Sequence, residues 1–173
     1  MALTRLGLNQ AINLTSNVTG TLPIANGGTN LSSGFINGTT AVGKILQVQN
    51  QRLTTEFNTN NSSFQDTGVT KSITPSSASS KVLVIYGSGM NYTSSGTEMA
   101  MNCMRDSTQL NSVIINLDGT ASTGGSAFMI LDEPNTTSSV TYKVQIRKSN
   151  GSGNVYVSVN NSLSTFTLME IGA

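Results

Sequence analysis

The sequence predicts an all-β fold, an antiparallel two-sheet sandwich of jelly-roll type, on three observations. Ser, Thr, Asn and Gly number 24, 23, 19 and 17, together nearly half of the 173 residues. Thr and the β-branched residues suit a pleated surface, while the residues that build exposed helix faces are scarce. Charged residues make up 10% of the chain, against roughly a quarter in an ordinary soluble domain. From Lys44 onward, short apolar runs alternate with turn residues at the spacing of a sandwich or barrel.

The elements follow in order. Ile45–Gln49 opens the series, and Arg52–Phe57 follows after Asn50-Gln51. Thr67–Ile73 ends at Pro75 and the Ser-rich stretch Ser76–Ser80. Lys81–Tyr86 is apolar almost throughout, as expected of a strand covered on both faces, and Gly87 and Gly89 predict a bend or bulge just after it. Thr97–Arg105 and Ser112–Leu117 are two further strands, and Asp118-Gly119 is a turn signal. Ala127–Leu131 stops at Asp132-Glu133-Pro134. In Val140–Arg147 apolar and polar residues alternate strictly, the pattern of a strand half-buried in an antiparallel sheet. Ser149–Gly153 forms the hairpin loop to Val155–Asn160, and Ser164–Ile171 is the last strand. No helix longer than a turn or two is expected.

Residues 1–43 differ. They hold one charge, Arg5, and many Gly, Asn and Thr, with no lasting helical or strand period. Leu3, Leu6, Leu8, Ile12, Leu14, Val18, Leu22, Ile24, Leu31, Phe35 and Ile36 are nevertheless spaced through them. Such a segment buries too little apolar area by itself to offset its ordering entropy. The expectation is an extended attachment or stem segment over 1–43, ordered against sister chains or a partner, and a sandwich head over 44–173.

Little in the sequence points to catalysis. With no histidine, the commonest general base and metal ligand is missing. With no tryptophan, a sugar-cleaving carboxylate pair would lack its usual aromatic platform. Asp132-Glu133 could offer oxygen ligands to a cation, but solvated loop acids are the simpler expectation. The net charge of +1 and the dispersed cations do not make a nucleic-acid groove. No apolar run approaches the ~20 residues of a membrane-crossing helix. The first residues lack the apolar core of a secretory signal, so assembly in the cytosol is expected. Cys103, in the alternating stretch Met99–Met104, is expected as a buried apolar residue, and the methionines as core or intersubunit packing. No cofactor is expected.

The run Gly20-Thr21-Leu22-Pro23-Ile24-Ala25-Asn26-Gly27-Gly28-Thr29 resembles a motif of tail-fibre and other virion structural proteins of tailed phages; Asn30 stands where that motif usually has glycine. Ser72–Val84 and Phe166–Ile171 are similar to stretches of phage structural proteins. The resemblance implies a homotrimer that works as a short fibre or fibre-like appendage in the virion. Its stem would include Leu22, Pro23, Ile24, Ala25, Asn26, Gly27 and Gly28. Its partners would be other virion proteins, either a tail adaptor or hub or the major capsid protein. Alternatives are a capsid decoration or head-fibre protein, and a carbohydrate-binding module. Candidate exposed loop tips, where a host glycan would be met, are Thr93, Ser94, Ser95 and Gly96, then Ser122, Thr123, Gly124 and Gly125, then Asn150, Gly151 and Ser152.

Overall fold

The structure, a computed structural model, describes residues 44–115 and 122–172. The predicted stem, with Leu22–Gly28, and the Asp118-Gly119 turn lie outside the described residues. Among the described residues ten strands follow one another: β1 Ile45–Leu53, β2 Phe57–Thr59, β3 Gln65–Ile73, β4 Lys81–Thr93, β5 Glu98–Arg105, β6 Thr108–Ile115, β7 Ser122–Asp132, β8 Val140–Asn150, β9 Val155–Val157 and β10 Ser164–Ile171. A short 3-10 turn, Val159–Asn161, is the only helical element among the described residues.

The pairing is antiparallel throughout. β10 and β9 share one edge of β4, taking Lys81–Ser88 and Asn91–Thr93 respectively. β7 takes the other edge. β1 lies outside β10, and β2 lies outside β9. Taking β1 with β2 and β9 with β10 as single columns leaves eight. One sheet then runs first, eighth, third, sixth, and the other, β3-β8-β5-β6, runs second, seventh, fourth, fifth. This nesting of outer pairs around inner pairs is the jelly roll of two Greek keys.

Side-chain alternation explains why the sheets close on each other. Val82, Val84 and Tyr86 of β4, with Phe166 and Leu168 of β10, meet Tyr142, Val144 and Ile146 of β8 and Met99, Met101 and Cys103 of β5 in one core. Tyr86 stacks tilted on Phe128 at 5.2 Å and edge-on to Phe166 at 6.3 Å. Cys103 is fully buried, as its place in the sequence predicted, and burial, aided by the Asp132 charge, pushes its thiol up to about 12.

Two irregularities are functional parts of the wrap. β4 shifts register between Ser88 and Asn91, close to the glycines that predicted a bulge, and there it changes partner from β10 to β9. A Cβ on Gly89 would stand 3.1 Å from the Leu163 carbonyl, whose oxygen accepts the Gly89 N–H. In β3 the register slips between Asp66 and Thr70, and Gly68 takes φ 84°. The Thr67 hydroxyl donates to the Val144 carbonyl at 2.8 Å and accepts the Val69 N–H at 3.2 Å, so it satisfies groups that the bulge removes from the ladder.

Three expectations are corrected here. Thr93 is not a loop tip: it is the last residue of β4 and fully buried. Ser122, Thr123, Gly124 and Gly125 are not a loop either. They open β7, and Ser122–Gly124 pair across to Asn91–Thr93 with Gly125 at the register shift, because the long β4 supplies a template that their weak local pattern does not announce. Asp132 is not a solvated loop acid but the buried end of β7.

Candidate functional site

The jelly-roll wrap sorts the connections between two ends. At one end lie the turns β2–β3, β4–β5 and β8–β9, and β6 and β7 also meet there. At the other end lie the turns β3–β4, β5–β6 and β7–β8, together with Lys44 and Gly172, which are joined by a 2.8 Å backbone hydrogen bond. The described chain therefore begins at the end opposite the candidate tips.

At the tip end the β4–β5 and β8–β9 turns are packed back to back. Ser94 N–H donates to the Asn154 carbonyl at 3.1 Å, and Gly153 N–H donates to the Thr97 hydroxyl at 3.0 Å. Gly151, at φ 82°, lies against the Gly96 backbone so closely that no Cβ fits. Ser95, Gly96, Asn150, Gly151 and Ser152 are exposed, and Ser94 is half-buried. Two of the three predicted tips thus form one surface. The third, Ser122–Gly125, is not a loop tip but the opening of β7, paired to the end of β4 at this same end of the sandwich.

Beside these turns is a cluster that the sequence reading did not single out. Tyr92 of β4 and Tyr156 of β9 are register partners on the outer face of the first sheet, edge to face at 5.2 Å and half-buried. Asn58 pairs with Tyr156 on one side and Thr123 with Tyr92 on the other, both exposed. The Asn154 amide reaches Asn58 Oδ1 at 3.4 Å. The row Asn58–Tyr156–Tyr92–Thr123 offers ring faces, amides and a hydroxyl to solvent. Alternation around Tyr156 puts it opposite Val155 and Val157, which was the available signal. Its meeting with Tyr92 depends on a pairing across more than sixty residues.

The opposite end holds the buried charge. Asp132 accepts Arg105 Nη1 at 2.8 and 2.7 Å and the Tyr142 hydroxyl at 2.6 Å. Burial, with the hydrogen bond to this carboxylate, raises the Tyr142 phenol well above its ordinary value. Next in sequence, Glu133 pairs with Lys81 at 2.7 Å. Glu170 is fully buried on β10. Its Oε1 accepts the Ser76 N–H at 2.7 Å and the Ser76 hydroxyl at 2.6 Å, and its Oε2 accepts Gln47 Nε2 at 2.6 Å. Burial alone would raise its pKa, but the Ser76 and Gln47 donors outweigh it and hold the carboxyl down at about 2. Nearby, a polar cleft of ≈ 450 Å³ runs between β1 and β3, lined by Gln47, Gln49, Lys71, Ser72 and Thr74 among others. These carboxylates spend their lone pairs on clasping the β3–β4 and β7–β8 connections to the sheets, which is a bracing role.

No protein-family model matches the chain, and no curated protein matches it. Among solved structures the chain is similar to the insecticidal delta-endotoxin Cry8Ea1 of Bacillus thuringiensis, with TM-score 0.34, 16% identity, and cover of 68% of this chain and 19% of that one. It is also similar to a chain of the infectious bursal disease virus Gx strain, with TM-score 0.30, 13% identity, and cover of 73% and 40%. A third likeness is to the enzymatically active domain of tailspike protein 4 of bacteriophage CBA120, with TM-score 0.28, 11% identity, and cover of 74% and 20%. The chain spans well under half the length of each, and likenesses at this level carry no argument about function.

Proposed function

We propose that this chain is a non-enzymatic structural protein of a tailed-phage particle, a short trimeric appendage held by residues 1–43 and presenting the β4–β5 and β8–β9 turns outward. The observation that carries the reading is polarity. Lys44, which follows the segment with the fibre-like motif, lies at one end of the sandwich, and the exposed turns lie at the other. An attachment protein needs its anchor and its contact surface at opposite ends. The buried carboxylates support the non-enzymatic part, since Asp132 and Glu170 are saturated by donors inside the fold. The test is a peptide tag inserted at Gly151-Ser152, followed by electron microscopy of labelled particles. Label at the outer limit of a tail appendage is the expected result. Label scattered over the capsid lattice would favour the decoration alternative, and particles without this chain would overturn the reading.

A second reading is favoured by the row Asn58–Tyr156–Tyr92–Thr123, namely that the appendage binds glycan there. Tyrosine rings stack on the apolar faces of sugars, while neighbouring amides and hydroxyls bond to their hydroxyl groups. Glycan-array binding by the full-length chain, lost in Tyr92→Ala/Tyr156→Ala with the fold retained, is the expected outcome. Binding unchanged in that variant would remove the row from consideration.

A further inference from the structure

The outer face of the first sheet is apolar where a free monomer would be polar. Register places Val48, Met169, Leu83 and Leu131 in one row across β1, β10, β4 and β7. The next row is Asn50, Thr167, Ile85 and Met129. Alternation turns all eight away from the core, whose neighbours in sequence, such as Val82, Val84 and Leu168, are fully buried. The exposures are those of uncovered side chains: Met129 72%, Ile45 59%, Leu131 56%, Val48 52% and Leu46 45%. Of the six large hydrophobics exposed among the described residues, Val113 of β6 lies elsewhere, and the other five gather on this face or at its Ile45 corner.

We propose that this face is the surface on which copies of this chain pack against one another. Two arguments select a second copy as the occupant. The first is charge. Neither row contains a charged residue, and at the rim Lys81 and Glu133 cancel as a 2.7 Å pair, while Arg52 stands one row beyond. The whole chain carries only +1. Such a face meets its own copy without like charges opposing each other, and there is no field to hold copies apart. The second is area. Four strands about nine residues long cover ~600 Å² in plan, and side-chain relief adds to that. This approaches the ~800 Å² that each partner gives to a stable interface. Monomers rarely leave a contiguous apolar patch of more than a few hundred Å². The inference deepens the oligomeric part of the proposed function and rests on it only for the number of copies.

The test uses the full-length chain and two measurements. Light scattering at micromolar concentration should give the mass of three chains for the unchanged protein and for Val113→Lys. The same measurement should give a single-chain mass for Val48→Lys/Leu131→Lys, with an unchanged circular dichroism spectrum. Met129 supplies the second reading: dilute peroxide, followed by peptide mass spectrometry, should oxidise its thioether several-fold more slowly in the unchanged protein than in the urea-unfolded chain, and quickly in the double variant. A double variant that stays trimeric but exposes Met129 still supports contact through this face. A double variant that stays trimeric with Met129 protected overturns the proposal and leaves the trimer standing. A single-chain mass for the unchanged protein overturns both. Met129 oxidised at the unfolded rate overturns the proposal even if the double variant fails to fold.

Discussion

Glu170 shows how one side chain can be read wrongly from its neighbours and rightly from its partners. In Leu168-Met169-Glu170-Ile171 it is an acid in an apolar strand, and alternation puts it on the inner face with Leu168. The fold makes that position tenable by aiming the Ser76 backbone and hydroxyl and the Gln47 amide at its oxygens. A folded pKa of about 2 against an unfolded 4.5 stabilises the fold at neutral pH, and that stability fades as pH falls from about 4.5 toward 2. Glu170→Gln should cost ~3 kcal/mol at pH 7 and flatten that acid limb, measured by urea melts across the pH range. Asp132→Asn leaves Arg105 beside a neutral amide, with one carbonyl oxygen in place of the two carboxylate oxygens that Arg105 and Tyr142 now use. A loss of ~3 kcal/mol in the same assay is expected, since a mostly buried ion pair loses one partner.

At the scale of elements, strands are set by side-chain alternation and their ends by backbone geometry. β9 stops at Val157 because Ser158 turns left-handed at φ 57°, followed by Asn160 and Asn161 at 55° and 58°. Asn accepts that region more readily than most residues. The predicted strand to Asn160 overran this turn because alternation continues through Val159 while the backbone does not. The two tip turns stand together through glycine: Gly151 holds φ 82° against the Gly96 backbone. Gly151→Ala should lose more than ~1 kcal/mol, and should loosen the β4–β5 turn, seen as faster amide exchange at Thr97 and Gly153. An unchanged melting midpoint would show that the turns are not mechanically joined.

For the whole molecule, the jelly roll joins its first and last columns. Val48 faces Met169 and Leu53 faces Ser164, so the first sheet closes only after almost all of the described chain is in place. Loop-closure entropy must be met before these pairings contribute, which puts refolding in the slow range, milliseconds to seconds. Stopped-flow refolding should show this, and a chain lacking Ser164–Ile171 should not fold, since it would uncover β4 and remove Phe166 and Leu168 from the core.

The sequence by itself determined the class and most of the strands, because alternation and turn chemistry are local: Val140–Arg147 needs no partner to declare which side is buried. It also determined that Cys103 is core, by the phase of its strand. Only the tertiary structure decided which strands are neighbours, hence that Thr93 is buried, that Ser122–Gly124 are paired, that Tyr92 meets Tyr156, and that Met129 and Leu131 line up with Val48 on one uncovered face. The physical reason is range. A side chain's phase depends on the residues beside it, whereas a cross-strand row depends on registers set by backbone hydrogen bonds between segments far apart in the chain, Val48 and Met169 among them.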